Sequence, residues 1–385
     1  MDDITKRNYT ALRVFYFFFF ISVATLAPYI YLYFKKIGLT GTEIGLIAAV
    51  GPLIVLIGQP LWGIIADKTQ KARTVLSIAI FITMISSLFY LGFTTFWGLI
   101  CVSIVYTLFN TPIIPLTDTV TLEFVSRHQL SYGKIRVWGS LGYAVLVIVI
   151  GKLSQVFGLI WIFPIYAFVM LIIFILSFRL PKYKTHFEYH FLGGISKLMK
   201  NNRYVLFLIA VFLLTATNSA NVVYFGIFID QLGGTTTLLG LAWMIAALSE
   251  SFIFLFSHQI LRRVSPLHCL ILASAGAILR WFLYTIIRAP LVLVLLQPLH
   301  ALSFGCYYLG SIHFVKQESP PGWMATGQTI FWAIGYGLSA IVGNFIGGLI
   351  YQKYNSVVAV YAISSVVALI AMILFIIAAS IRHQE

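Results

Sequence analysis

Long apolar runs separated by short polar stretches extend along almost the whole chain. A helix needs about 20 mostly apolar residues to cross a bilayer, so runs of this length indicate transmembrane helices. We predict twelve of them, at residues 12–34, 44–66, 74–94, 97–122, 134–157, 159–180, 204–230, 237–260, 267–287, 291–314, 324–350 and 356–380. The predicted fold class is an all-α membrane protein with twelve transmembrane helices.

The longest polar stretch, residues 182–203, leaves six predicted spans on each side. We interpret it as a cytoplasmic linker between an N-terminal bundle, residues 1–181, and a C-terminal bundle, residues 204–385. Lys and Arg concentrate in cytoplasmic loops, and most of them fall on the linker side of the membrane when both termini are cytoplasmic. We therefore expect a multi-pass protein of the cell membrane in that orientation.

Composition and charge narrow the expected partners. Hydrophobic residues make up 60% of the 385 residues and charged residues only 9%, which excludes a soluble protein of this length. The net charge of +14 is explained by basic loops, so we expect a lipid bilayer and a small-molecule substrate as partners and no nucleic acid. Cys101, Cys269 and Cys306 lack CxxC spacing, so we expect no disulfide, metal or cofactor. We expect a functional monomer.

An internal repeat relates the two predicted bundles. The decapeptides IGLTGTEIGL, residues 37–46, and LGGTTTLLGL, residues 232–241, share Gly, Thr, Thr, Gly and Leu in register. Both lie where the first two spans of a bundle meet. The dipeptide Gly142-Tyr143 also recurs as Gly335-Tyr336, in the fifth span of each bundle. We therefore predict two pseudo-symmetric bundles of six helices, an arrangement known from transporters with a solute site near mid-membrane.

Asp118 and Arg136 are charged residues inside predicted spans four and five. They lie nine residues before and after Arg127, near the turn that joins these spans, so antiparallel helices would place them at one height. At about 1.5 Å per residue that height is about 13 Å, near the middle of a hydrocarbon core of about 30 Å. Charged side chains at this depth face a bundle interior or a wet cavity. We interpret them as solute-binding residues, and a structural ion pair is the alternative.

The second bundle holds a similar group of ionisable residues. Arg280 and His300 lie ten residues on either side of Pro290, in the turn between spans nine and ten, and Glu250 lies twelve residues before Arg262 on span eight. The same geometry puts all three near mid-depth. We interpret Arg280 and His300 as further solute-binding candidates.

Three segments resemble a known family. GIIADKTQKAR, residues 63–73, is similar to the loop motif that follows the second span in the major facilitator superfamily. Residues 28–45 and 296–305 resemble segments of the group that contains lactose permease and the phenylpropionate permease-like proteins, oligosaccharide or aromatic acid:proton symporters. The resemblance implies the major facilitator fold with alternating access. It also implies a gating role for Gly63, Asp67, Lys71 and Arg73.

The resemblance also implies roles for single residues. Asp118 and Arg136 fall where the lactose permease family has a sugar-binding glutamate and its partner arginine. Tyr143 falls where an aromatic ring stacks on the sugar in that family. Arg280 and His300 fall on its coupling arginine and histidine.

Two positions depart from the lactose permease pattern. Ser303 stands where that family has a proton-releasing glutamate, and Ala247 stands where it has a second sugar-binding glutamate, with Glu250 one turn away. We therefore do not expect galactoside specificity. Proton coupling, driven by a proton gradient, is expected from Asp118, Glu250 or His300, which are titratable groups at mid-depth.

Several other polar or aromatic residues are secondary candidates. Asn218 and Asn221 on span seven and Gln328 on span eleven either contact the substrate or form hydrogen bonds between helices. We interpret the aromatic run at residues 15–20 as a packing and lipid-facing surface.

Together these features predict a secondary active transporter that imports a small polar solute, such as a sugar, glycoside or nucleoside-like compound, with protons. An aromatic carboxylate is one alternative, because Arg136 and Arg280 are both able to bind an anion. Proton-driven efflux of drugs or metabolites is another, because these residues do not define the direction of transport. The sequence contains neither HExxH nor GxSxG, and we expect no enzyme activity.

Overall fold

The structure is a computed structural model that describes residues 3–181, 198–320 and 323–381. In these residues, eleven helices are long and apolar enough to cross a membrane. They coincide with the predicted spans except for the tenth. The prediction of an all-α membrane protein is confirmed.

The first six spans follow the apolar runs, and prolines divide two of them. Because proline has no backbone N–H, helices are interrupted near Pro28 in span one and at Pro112 in span four. The helices are Asp3–Leu26 and Ile30–Lys36 (span one), Gly41–Thr69 (two), Ala72–Phe89 (three), Phe96–Asn110 and Ile113–Arg127 (four), Tyr132–Phe157 (five), and Leu159–Trp161 and Ile162–Ser177 (six).

The second six spans contain two π-helical segments. The helices are Asn202–Gln231 (span seven), Thr236–Leu255 (eight), Pro266–Ile286 (nine), Pro290–Leu295 and Cys306–Glu318 (ten), Met324–Trp332 and Ser339–Tyr354 (eleven), and Val357–Ser380 (twelve). A short helix, Ser257–Arg263, follows span eight. The π-helices are Ala301–Gly305 in span ten and Ala333–Leu338 in span eleven. Span ten is divided near Pro298, so it is not one continuous membrane helix.

The predicted linker is described only at its end. Residues 182–197 lie outside the described part of the chain. The Asn201 side chain accepts hydrogen bonds from the backbone N–H groups of Arg203 and Tyr204, as an N-cap does. Helix Asn202–Gln231 therefore begins one residue before the predicted end of the linker at residue 203.

The helices of the two halves pack in the same pairs. Span one packs against spans five and six, and span three packs against spans four and six. In the second half, span seven packs against spans eleven and twelve, and span nine packs against spans ten and twelve. This shared pattern agrees with the repeat in the sequence.

The compact units of the structure differ from the two sequence halves in two segments. Thr40–Pro52, at the beginning of span two, belongs to the second unit with most of the second half. Thr235–Met244, at the beginning of span eight, belongs to the first unit with most of the first half. Both segments contain part of a repeated decapeptide. Each repeated segment therefore packs with the half of the sequence that does not contain it.

Glycines allow the two exchanged segments, Thr40–Pro52 and Thr235–Met244, to pack closely against neighbouring helices. In the second unit, a Cβ atom at Gly45 would lie 2.6 Å from the carbonyl oxygen of Asn344. In the first unit, a Cβ atom at Gly240 would lie 2.6 Å from the carbonyl oxygen of Val147. Small residues allow helix backbones to approach in this way within a membrane. Any larger residue at either position would have to push the neighbouring helix away.

Candidate functional site

Asp118 in the first unit is bound by two tyrosines. The hydroxyl groups of Tyr16 and Tyr132 both donate to Oδ1 of Asp118, and the distance from Tyr132 is 2.9 Å. Tyr16 is fully buried on span one, and Tyr132 is the first residue of span five. Both bonds use the same carboxylate oxygen. A carboxylate has about four acceptor positions, so Oδ2 remains available to a further donor.

The Arg136 guanidinium packs over aromatic rings instead of against the Asp118 carboxylate. Its guanidinium carbon is 4.0 Å from the ring centroid of Phe20 and 5.6 Å from that of Tyr16. Within the described residues, no ion pair joins Arg136 to Asp118. A guanidinium above a ring face is stabilised by the ring quadrupole, and within the described residues the N–H groups of Arg136 make no hydrogen bond. Tyr143 is half-buried, about two helical turns from Arg136 on the same span.

Arg280 in the second unit has a full set of neutral partners. Its side chain is completely buried. It donates to the Tyr284 hydroxyl at 3.0 Å, to Nδ1 of His300 at 2.9 Å and to Oε1 of Gln297 at 2.7 Å. Gln297 in turn donates to the Tyr284 hydroxyl at 2.8 Å. This network fixes Arg280, so its guanidinium is less available to a solute than that of Arg136.

His300 connects Arg280 to Glu250. Nε2 of His300 lies 3.4 Å from Oε2 of Glu250. Because Arg280 can only donate, Nδ1 of His300 must accept, so the ring proton of a neutral His300 is on Nε2 and points to Glu250. A second proton on Nδ1 would face the Arg280 donor. The geometry therefore favours the neutral form of His300.

Three predicted polar residues make contacts within or between helices. The Tyr361 hydroxyl donates to the buried Asn221 at 3.0 Å and joins spans seven and twelve. Gln328 donates to the carbonyl oxygen of Ile312 at 3.1 Å, between spans eleven and ten. Asn218 donates to the carbonyl oxygen of Leu214 in its own helix at 3.2 Å and stays half-buried. Of the three, Asn218 is the one that can turn to a solute without breaking a contact between helices.

The predicted gating motif lies at the junction of spans two and three. Gly63 and Asp67 are in the last turns of helix Gly41–Thr69, and Lys71 precedes span three. The side chain of Asp67 lies outside the described part of the structure. Arg73 donates to the carbonyl oxygens of Phe178 and Leu180 at 3.0 and 3.3 Å. This cation satisfies carbonyl groups at the end of span six, where a basic side chain is favourable.

Sequence reasoning missed the residues that hold the predicted ones in place. Tyr16 and Phe20 belong to the aromatic run that we interpreted as a packing and lipid-facing surface. In the structure, Tyr16 binds Asp118 and Phe20 supports Arg136. Tyr16 has the only hydroxyl group in residues 15–20, and that group was the available signal.

A second missed group is a buried ion pair at the junction of spans seven and ten. Nη1 of Arg203 lies 2.8 Å from Oε1 of Glu318, and the Asn201 amide donates to Oε2 of Glu318 at 2.9 Å. The Glu318 side chain is 2% exposed. The interpretation of residues 182–203 as a cytoplasmic linker did not predict a buried partner for Arg203.

The sequence profile of the MFS_1 like family matches residues 9–363. The chain belongs to this family. The curated relatives of this MFS_1 like protein include an uncharacterized transporter, YwbF, of Bacillus subtilis, with 29% identity, 94% of this chain and 92% of the relative covered. The maltose permease of Geobacillus stearothermophilus is 27% identical, with 96% and 94% covered. The "Probable 3-phenylpropionic acid transporter" of Escherichia coli is 24% identical, with 93% and 95% covered.

A solved structure has the same fold as this MFS_1 like chain. The nucleoside transporter NupG superimposes with a TM-score of 0.86 at 20% identity, covering 96% of this chain and 99% of that structure. Together with the family match, this confirms the predicted major facilitator fold and the resemblance to permeases. The chain is a multi-pass membrane transporter and not an enzyme.

Proposed function

We propose that the chain is a secondary active transporter that imports a small polar solute with protons. A sugar, glycoside or nucleoside-like solute agrees with the maltose permease among its relatives and with the polar groups of the first unit. We place the transporter in the cell membrane as a monomer with both termini in the cytoplasm. An aromatic carboxylate is the second candidate, because the Arg136 guanidinium has no carboxylate partner in the described residues and a relative is named for such an acid.

The first unit supplies the groups that would bind the solute. Arg136 offers a planar pair of N–H donors, which suits two adjacent hydroxyl oxygens or a carboxylate. Oδ2 of Asp118 accepts from a solute hydroxyl while the two tyrosines hold Oδ1. Tyr143, on the same span as Arg136, offers a ring face to the apolar side of the solute. These three groups together recognise polarity and shape.

The second unit supplies the group that would carry the proton. Glu250 is half-buried and contacts His300 at 3.4 Å. Protonation converts the Glu250 carboxylate into a neutral acid and weakens its attraction for the Nε2–H of His300. Arg280 keeps Nδ1 of His300 as an acceptor, so the proton stays on Glu250. The state of Glu250 thereby changes the contacts between spans eight and ten.

Uptake into proteoliposomes tests the proton coupling. Labelled maltose and uridine are offered under an imposed proton gradient, with purified wild-type protein and a Glu250→Gln variant. We expect accumulation by the wild type and only equilibration or exchange by the variant, because an amide cannot release a proton. Glu123→Gln is the control, since Glu123 is an exposed partner of Arg127. Accumulation by the wild type that persists after the gradient is collapsed would contradict the proposal.

The exchanged glycine contacts support alternating access. Such a cycle requires helix contacts that form in one state and break in another. We expect Gly45→Leu to prevent the approach of span two to Asn344 and to abolish transport, while the protein remains folded. Gly51→Leu is a matched control in the same helix, because a Cβ atom at Gly51 would meet nothing within 4 Å. Equal transport by the two variants would exclude a role for this contact.

A further inference from the structure

An array of aromatic rings begins at His300 in the second unit. The π-helix Ala301–Gly305 follows His300 directly, and π-helical turns are frequent at functional sites. The rings of His300 and Phe304 lie parallel, with centroids 5.2 Å apart and an interplanar angle of 3°. The π-helix thus places an aromatic ring directly on the imidazole that contacts Glu250.

The array continues from span ten to span eleven. The centroid of Phe304 lies 6.3 Å from that of Tyr308, which lies 6.0 Å from that of Trp332. Trp332 is 4.5 Å from Tyr336, which belongs to the second π-helix. These spacings are those of interacting aromatic pairs. Both π-helical segments therefore contribute to one set of rings, which we call the aromatic shelf: His300, Phe304, Tyr308, Trp332 and Tyr336.

The position of the shelf argues against a lipid-facing role. Phe304 and Tyr308 follow His300 at intervals of four residues, so all three lie along one side of span ten. His300 contacts Glu250 on that side, and ionisable groups within a membrane face the protein interior or water and not lipid. Trp332 is 39% exposed. Phe304, Tyr308 and Tyr336 are half-buried, so part of the ring surface of the shelf is accessible.

Two tyrosine hydroxyls lie next to each other at the shelf. The hydroxyl oxygens of Tyr307 and Tyr336 are buried and interact with each other, but within the described residues neither makes a hydrogen bond of good geometry. Their ring centroids are 6.2 Å apart, and Tyr307 is completely buried. A buried hydroxyl without a hydrogen bond of good geometry is costly, and it is usually satisfied by water or a ligand. These two hydroxyls can bind the polar edge of a molecule that stacks on the shelf.

We propose that the aromatic shelf is a subsite for a flat aromatic ring of the solute, with Tyr307 and Tyr336 bonding to its polar edge. This inference rests on the proposed transport of a small solute and specifies its class: a compound that joins an aryl group or a heterocyclic base to a polar part. A pyranose ring would be satisfied by one exposed ring face. The shelf instead offers several rings, of which His300 and Phe304 are parallel and the others are tilted or edge-to-face, and an additional aromatic ring can pack on such a group.

Matched ligand pairs test the subsite. Phenyl β-glucoside is compared with methyl β-glucoside, uridine with ribose, and 3-phenylpropionate with propionate. Binding to the full-length protein is followed by thermal shift and by the quenching of tryptophan fluorescence. We expect the aromatic member of at least one pair to bind about ten-fold more tightly than its partner, the gain typical of one stacked ring.

Substitutions in the aromatic shelf test whether the shelf causes the tighter binding of the aromatic ligand. Trp332→Leu and Phe304→Leu are expected to remove the ten-fold preference and to leave the binding of the non-aromatic partner unchanged. Trp332→Phe is expected to keep the preference and to show that Leu does not act through misfolding. Trp97→Leu, which removes a tryptophan that is 74% exposed, controls for the loss of one indole.

Three results would overturn the inference: equal binding within every pair, a preference that survives in both Leu variants, or no binding of any aromatic member. Proton-driven maltose uptake with any of these results would retain the proposed function and reject the shelf. Binding of an aromatic member without proton-driven uptake would reject the coupling and retain the shelf. The two proposals are therefore separable.

Discussion

Arg136 and Arg280 were both predicted near mid-depth, one in each half of the sequence, but their surroundings in the structure differ. Arg136 lies on the rings of Phe20 and Tyr16 without an ion pair to Asp118 in the described residues. Arg280 is completely buried and donates to three neutral groups. The three hydrogen bonds of Arg280 are typical of a structural residue, whereas a guanidinium held by ring faces keeps its donors for a ligand. We therefore expect Arg136 to bind the solute and Arg280 to support the proposed proton site.

The largest effect is expected from Arg280→Leu. The change leaves buried acceptors on Gln297 and His300 without their donor, and each unsatisfied group costs about 1–3 kcal/mol. We expect the free energy of unfolding to fall by roughly 3 kcal/mol, visible as a lower melting temperature in detergent. Arg288→Leu is the control, because Arg288 is exposed and donates to the neighbouring carbonyl group of Ile287. If Arg280→Leu has the same melting temperature as the wild type, Arg280 does not stabilise the fold.

The next effect is a loss of solute binding in Arg136→Lys. Lysine keeps the charge but loses the planar pair of donors, so we expect affinity to fall roughly ten- to hundred-fold. Stability should change little, because Arg136 has no hydrogen-bond partner in the described residues. Isothermal titration with the best ligand measures the affinity, and thermal unfolding measures the stability. If Arg136→Lys is destabilised but binds the ligand normally, Arg136 is a structural residue and not a solute-binding one.

A double-mutant cycle examines the missing ion pair. Asp118→Asn and Arg136→Gln should each weaken binding, and because both residues contact Tyr16, their effects should deviate from additivity by about 0.5 kcal/mol or more. Restored transport in the double variant would instead indicate a structural pair that tolerates joint neutralisation. Binding affinity and initial uptake rate are measured for the four proteins at matched expression.

The smallest effect is expected from Tyr16→Phe. This change removes one of the two hydroxyl donors to Oδ1 of Asp118, a loss of about 1 kcal/mol for a single hydrogen bond. We expect a several-fold decrease in affinity. Tyr354→Phe, at a residue that is 55% exposed, should have no effect. If Tyr16→Phe also binds normally, the carboxylate is positioned by Tyr132 alone.

The sequence allowed the second polar cluster to be predicted better than the first. Equal distances from a turn predicted a common depth for Arg280 and His300, and the structure joins them and adds Glu250. The same reasoning placed Asp118 and Arg136 together but did not show what separates them. Tyr16 and Phe20 lie in a uniformly aromatic run, and hydrophobicity does not distinguish a ring that supports a charge from one that faces lipid.

Two features of the fold were not accessible from the sequence pattern. Span ten is apolar enough on average to be predicted as one helix; Pro298 was the available signal of its division, whereas no sequence pattern indicated the π-helix Ala301–Gly305. The exchange of Thr40–Pro52 and Thr235–Met244 between units was also not predicted. Each segment is part of a continuous helix, and a sequence pattern assigns a helix to the half that contains it. The repeated decapeptides marked these segments without revealing where they pack.

The glycine contact at Gly240 has a consequence for biosynthesis. Chains emerge from the ribosome at about 5–20 residues per second, N-terminal part first. Spans one to six are therefore made before residues 235–244, which complete their packing. Until then, the backbone near Val147 and Gly151 lacks the neighbours that Gly240 and Thr236 later provide. A nascent chain that stops in the linker would hold an unfinished first unit, exposed to membrane chaperones and proteases until span eight arrives.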